Sequence, residues 1–394
     1  MFSRFFPFGL VELPFWAYAL VVFGLIQLMF LGITLYLHRD QSHGGLELHP
    51  VLRHFFRFWL WFSSGTVTRE WVAVHRCHHA FSDQPGDPHS PVIFGLKKVV
   101  LEGYELYTSA TRDPHILDHY GRGTPDDWIE RNLYSRWRTG GLILFIVTEL
   151  VLFGVPGIAM LAIHIAAQPF FAGGVINGVG HRLGYRSFEM ASTATNIVPW
   201  GLLIAGEELH NNHHAFPRSA RFSVQPWEID MGWVWIRLFS ALGLARVIRV
   251  APSPHLSAKG SFVDAETARA LFTNRMHVLR DYARRVVRPV CRELARREPD
   301  GAVPRTASRL LIRHPSILAE EAQRVLKDLL ARYEVLRAVV EYRDSLQRAW
   351  NDAATSQGGA VQNLRDWCGR AEASGIRALR EFALRLRDYS AAPA

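Results

Sequence analysis

Residues 14–37 read PFWAYALVVFGLIQLMFLGITLYL, without one charged side chain. A stretch of that length crosses the roughly 30 Å hydrocarbon core of a bilayer as a single helix. It is too long for a removable signal peptide and lacks the small-residue cleavage site. Residues 140–179 form a second apolar region, in which Glu149 and His164 are the only ionisable groups. That region is about twice the single-span length, and Gly154-Val155-Pro156-Gly157 breaks it, which predicts a helical hairpin. Residues 55–67 (FFRFWLWFSSGTV) are short and interrupted by Arg57, so they predict a surface or interfacial helix. Together these segments predict an all-α, multi-pass membrane protein with about three transmembrane helices. The competing reading is a soluble all-α protein with buried helices.

Basic residues orient the spans. Residues 38–138 and everything after Arg182 are rich in Arg and Lys, whereas Arg4 alone precedes the first span and the hairpin turn has none. The positive-inside rule then puts the N-terminus outside, and the central loop and C-terminal part in the cytoplasm as a helical cap and an appendage. The net charge of +9 is unevenly spread. Residues 1–250 hold 20 basic and 19 acidic side chains, and residues 251–394 hold 25 and 17. Two domains follow, 1–250 and 251–394, and the charge belongs to the second. Three scattered cysteines (Cys77, Cys291, Cys368) exclude a disulfide scaffold.

Eighteen histidines are the most informative residues. Eight fall into three boxes: His38 and His43; His75, His78 and His79; His210, His213 and His214. On a helix, i, i+3 and i+4 converge on one face, yet adjacent residues diverge by about 100°. One helical turn can therefore present neighbouring imidazoles to two different metal ions. His38 and His43, five apart, meet one site if the helix bends at its membrane exit. Neutral imidazole binds Fe, Zn, Cu or Ni. His49, His54, His115, His119, His164, His255, His277 and His314 stand alone and read as ordinary core or surface residues, while His89 in Asp87-Pro88-His89 reads as structural or as support for a ligand. Asn177 and His181, four apart, share a helix face, so His181 can add a ninth ligand while Asn177 holds a metal-bound water. No Walker loop, dinucleotide fingerprint or multi-Cys cluster pattern occurs. Glu207-x-x-His210 is half of a carboxylate-bridged di-iron motif, which needs a pair.

HxxxxH, HxxHH and HxxHH set around an apolar hairpin resemble the membrane fatty acid desaturases. WVAVHRCHH at 71–79 followed by DPH at 87–89, NGVGHRLGY at 177–185 and GEELHNNHHAFP at 206–217 are similar to the Δ9 enzymes of that family. The likeness covers roughly residues 30–245. It implies a di-iron centre ligated by His38, His43, His75, His78, His79, His181, His210, His213 and His214, with Asn177 orienting a water. It also implies O₂-dependent removal of two hydrogens from an acyl chain, with O₂ reduced to water. Thirty-seven residues precede His38, room for one span where animal-type relatives have a hairpin and a CoA-holding segment. The resemblance is therefore to bacterial Δ9 enzymes acting on phospholipid-linked chains in the inner membrane, with acyl-CoA as the other carrier. Electrons come from a separate ferredoxin or NAD(P)H-dependent reductase. Gly173 and Gly174 either leave room for the chain or pack helices closely. A related alkane or fatty-acid hydroxylase and a non-catalytic metal-binding membrane protein are the alternatives.

Residues 265–390 read as amphipathic helices with an apolar stripe of Leu318, Ala322, Val325, Leu329, Leu336 and Val340, punctuated by Pro289, Pro304, Pro315 and Gly358-Gly359. Their arginines suit anionic lipid, an acidic electron donor or water, and nucleic acid is not an expected partner.

Overall fold

The computed structural model describes residues 9–257, 263–298, 306–353 and 357–390, so Arg4 and Pro304 lie outside the described residues. Most of the described residues are helical, and among them the strands form three pairings of two or three residues each. It divides into two compact units, Met1–Arg186 with Ser192–Ala251, and Pro252–Ala394 with Ser187–Ala191.

In the first unit the helix Phe15–Gly32 continues without a break into a π-helix, Ile33–Ser42. The resulting rod, Phe15–Ser42, is long and apolar enough to cross a membrane, as is Arg138–His181. The second turns back on itself. Gly154 adopts φ 58° and ψ −131°, a conformation that a side chain would strain. Phe145 and His164, roughly 28 Å apart along a straight helix, bring their rings to 4.8 Å. Close approach at the turn needs a second glycine, since a Cβ on Gly157 would lie 2.5 Å from the Glu149 carbonyl oxygen.

On the helix Pro50–Ser64, Arg57 turns inward. The guanidinium is buried, bonded to Asp127 at 2.6 Å and Glu130 at 2.9 Å, while Val51, Phe55 and Phe58 are exposed. An Arg flanked by aromatics here marks the inner face, because two carboxylates 70 and 73 residues away meet its charge. Gly173 packs against Gly103, a Cβ on which would touch the Gly173 Cα at 3.4 Å.

The second unit has an apolar core that includes Leu271, Tyr282, Leu336, Trp367 and Phe382. Pro289 does not end a helix, because the π-turn Ala283–Val287 precedes it and the helix Arg288–Arg297 carries it in its first turn, where no N–H is needed. The apolar stripe departs from the pattern at Val325, which is exposed, because Leu326, Leu329 and Leu330 supply the inner face of Glu320–Arg332. Gly358 and Gly359 fall inside the helix Gln357–Ala373.

Candidate metal centre

Four segments bring nine imidazoles together in two groups. His38, His43, His75, His79 and His213 place one nitrogen each within 4.8 Å of one another, and so do His78, His181, His210 and His214. The division follows from local backbone geometry. On the helix Thr68–Phe81, His75 and His79 are i and i+4 and join the first group, while His78 turns to the second. On the helix His210–Ala215 the sorting is reversed: His210 and His214 go to the second group and His213 to the first. The π-helix explains the five-residue spacing of the first box. Its hydrogen bonds run i to i+5, and the His43 N–H donates to the His38 carbonyl at 3.2 Å, which brings the two side chains to the same side.

His181 arrives differently from the shared helix face that its spacing from Asn177 suggests. Asn177 lies in the last turn of another π-helix, Pro169–Gly178, and His181 closes a 3₁₀ turn, Val179–His181, so the two side chains part. Asn177 lines a cavity of about 630 Å³, and His181 turns to Asp83 and His210. The Asn177 carboxamide makes no hydrogen bond to protein among the described residues.

Three buried carboxylates fix the rings, and the sequence reading had not given them this part. Glu207 accepts from His38 Nδ1 at 2.8 Å, Asp87 from His78 Nδ1 at 2.9 Å and Asp83 from His181 Nδ1 at 2.9 Å. Each bond puts the proton on Nδ1 and leaves Nε2 bare. Those bare nitrogens face other imidazole nitrogens: His38 meets His213 at 2.9 Å, His181 meets His210 at 3.0 Å and His78 meets His214 at 3.4 Å. Lone pairs so opposed repel unless a cation lies between them, and an all-imidazole set suits a transition metal. The residues present therefore fit two metal ions. Burial, followed by the neighbouring imidazoles and arginines, pushes His43, His75, His79, His210, His213 and His214 well below the usual histidine range, so they are neutral, as metal ligands must be. Asp83 and Asp87 stay below the usual carboxylate range despite burial, because imidazole and backbone donors hold their charge.

Asp83 occupies a left-handed backbone position (φ 62°) just past the Thr68–Phe81 helix, and also accepts from Ser90, Ser192 and Thr193. Glu207, three residues before His210, serves neither group as a bridge; it reaches across to His38 and Thr34 Oγ1. A carboxylate next to each box was the available signal. His89 stacks on His78 at 4.5 Å, and burial pushes its ring down to about 3. His49 and His314, by contrast, accept bonds from the N–H groups of Val51 and Ser316 at helix starts.

The two histidine groups are anchored to the fold beside His38. Arg39, next to His38, is fully buried and forks onto Asp230 at 2.9 and 3.2 Å with its guanidinium 3.8 Å over the Phe222 ring. Gly206 adopts φ 101°, and a Cβ there would fall 2.2 Å from the Asp230 carboxylate. The cavity that reaches the centre is walled by Met29, Phe30, Ile33, Trp71, Val100 and Ile176, with His38, His75 and His210 opening onto it.

Comparison with known proteins agrees with this geometry. Residues 14–241 match the family described as fatty acid desaturase, and residues 267–392 match one described as transposase. The acyl-CoA 5-desaturase AL21 of Anemone leveillei is 31% identical over 229 residues, 57% of this chain and 69% of its own. The sn-1 stearoyl-lipid 9-desaturase of Synechocystis sp. is 32% identical over 234 residues, 58% of this chain and 70% of its own. Delta-9 acyl-lipid desaturase 2 of Arabidopsis thaliana is 27% identical over 249 residues, 60% and 76% of the two chains. The family match takes in every histidine of both groups and more than half of the sequence, and the chain belongs to the fatty acid desaturase family.

Proposed function

We propose that the chain introduces a double bond between C9 and C10 of a saturated acyl chain carried on membrane phospholipid. The observation that carries the reading is the pair of imidazole groups opening onto one apolar cavity. The relative that acts on stearoyl-lipid at the 9-position supports carrier and position. An unactivated C–H bond gives acids, bases and nucleophiles nothing to act on, so a redox metal is needed. Two irons held by His38, His43, His75, His79 and His213, and by His78, His181, His210 and His214, would supply that oxidation, with O₂ as co-substrate and electrons from a separate ferredoxin or reductase.

The protein's own residues do the rest. Asp83, Asp87 and Glu207 hold three rings in one tautomer and orientation. Asn177, on the cavity wall that His210 also lines, would orient a water at the four-histidine group. The apolar wall excludes bulk water and presents one pair of methylenes to the histidines, so that depth of insertion decides which carbons react. The rod Phe15–Ser42 and the two halves of Arg138–His181 supply three membrane crossings, in a bacterial inner membrane with the histidines on the cytoplasmic side. The N-terminus then lies outside.

Cells that make no unsaturated lipid of their own, given the full chain, test the reading by mass spectrometry of their phospholipids. Monounsaturated chains with the bond at C9 are expected. A hydroxylated product overturns it, and so does an unchanged lipid profile from cells in which the purified protein carries iron.

A further inference from the structure

The histidine end of the cavity carries one imidazole that belongs to neither group. His89 lines the cavity, as His210 and Asn177 do, and is 5% exposed. Its ring stacks on His78 at 4.5 Å, and His181 and His210 lie close enough to act on it electrostatically. Three of the four histidines of the smaller group thus lie about it. The two ring nitrogens differ in their surroundings. Nδ1 is sealed against solvent, 4.0 Å from the Asp87 carboxylate, too far for a hydrogen bond. Nε2 is not sealed and bonds to no protein atom among the described residues, so it is the polar atom that His89 presents to the cavity.

The partner follows from the chemistry of the two atoms that meet there. Burial keeps the His89 ring neutral, with one N–H and one bare nitrogen. The negative carboxylate of Asp87 favours the proton on Nδ1, which leaves Nε2 as an acceptor. Asn177, whose carboxamide makes no bond to protein either, brings a second acceptor, its oxygen, to the same cavity. A hydrocarbon chain has no hydrogen to give them. A water coordinated to a cation has two, because its lone pair faces the metal and both O–H bonds point away. A buried water is well held by about three partners, and the metal of the four-histidine group, Asn177 and His89 supply three. We propose that His89 is a positioning residue, whose Nε2 accepts the second hydrogen of the water that Asn177 holds at the four-histidine group. The inference rests on the reading that this group binds iron. With both hydrogens held, the water leaves less readily, and O₂ is consumed less often without an acyl chain to react.

The test is a density map of the full, iron-loaded protein in phospholipid nanodiscs, at a resolution that shows ordered water. A water within hydrogen-bond reach of both His89 Nε2 and the Asn177 carboxamide is expected. Ordered side chains with no water between them, or Nε2 bonded to protein, overturn the proposal. His89→Phe supplies a ring that stacks on His78 but accepts nothing. Its iron content is expected to be unchanged, the water lost, and the O₂ consumed per double bond raised about fivefold, the worth of one hydrogen bond. His89→Gln, whose carbonyl accepts, is expected to recover part of the coupling, and it stands in should His89→Phe fold poorly. Loss of iron from His89→Phe, or unchanged coupling in both variants, makes the ring a prop for His78 and overturns the positioning role. The map needs no turnover, which separates the two claims. The bridged water in a protein that carries iron yet makes no double bond upholds His89 and overturns the proposed reaction; double bonds formed with no such water do the opposite. A protein that takes up no iron overturns both.

Discussion

The two units spend their buried positions in opposite ways. In the first, the residues most completely withdrawn from water include His38, His213, Arg39, Asn211 and Asn212, side chains that cost energy to bury unless each meets a partner. In the second, the corresponding residues are Leu271, Val278, Leu336, Trp367 and Leu379. Two of the large polar tips there bond to backbone carbonyls, the Tyr282 hydroxyl to Val339 at 2.6 Å and the Trp367 indole to Tyr342 at 2.9 Å. A substitution in the first unit should therefore register in chemistry and metal content, and one in the second only in stability.

The sharpest form of that contrast is His78→Ala. It removes one of four imidazoles from the smaller group, and desaturation is expected to fall below detection with the helical circular dichroism unchanged. His79→Ala does the same through the other group. Retained product from either variant in lipid profiles would erase the distinction between the units. Next in size is Arg39→Met, which leaves Asp230 buried without its partner and should cost about 3–5 kcal/mol. Denaturant unfolding of the full chain should show the loss in the first unit's transition, with the second's unmoved.

The second unit has its own buried imidazole, and pH exposes it. Burial, with Arg280 nearby, pushes His277 from 6.5 down to about 4. Between those values the unfolded chain takes up a proton that the folded one refuses. The stability His277 contributes is whole above pH 6.5 and drains away as pH falls towards 4, by at most about 3 kcal/mol. A melting series from pH 7 to 4, wild type against His277→Gln, reads the effect; equal acid sensitivity in the two proteins would break it. Asp83→Asn should cost less. It keeps a hydrogen bond to His181 while losing the charge, and such outer partners are typically worth 10–100-fold in metal affinity or activity. Iron retention against a chelator checks the figure.

Much of the candidate centre was legible because its histidines announce themselves by type and spacing. The i, i+3, i+4 boxes fixed which imidazoles diverge, and Gly154 marked the reversal of the hairpin. Less legible was whatever depends on non-local pairing. Nothing local to Glu207 tells that it serves His38, 169 residues away. Arg57 read as an interruption of an apolar run because the carboxylates that bury it lie beyond the segment. The five-residue step from His38 to His43 suggested a bend, where the chain instead adopts π hydrogen bonding. His164, which stands alone in the sequence and reads as an ordinary core or surface residue, is buried with its ring 4.8 Å from that of Phe145.

Val325 offers the smallest and most exact test of that lesson. Periodicity alone puts Val325 and Leu329 on one stripe, four residues apart. In the folded chain Leu329 is 5% exposed and Val325 is 36% exposed, because the helix Glu320–Arg332 turns Leu326 and Leu330 inward beside Leu329. Leu329→Ala should then cost about 2–5 kcal/mol through lost contacts and a cavity, while Val325→Ser should stay within about 0.5 kcal/mol. Were the two losses equal in chemical unfolding, the helix would be rotated from the position described, and the second unit's core would have to be redrawn from the stripe.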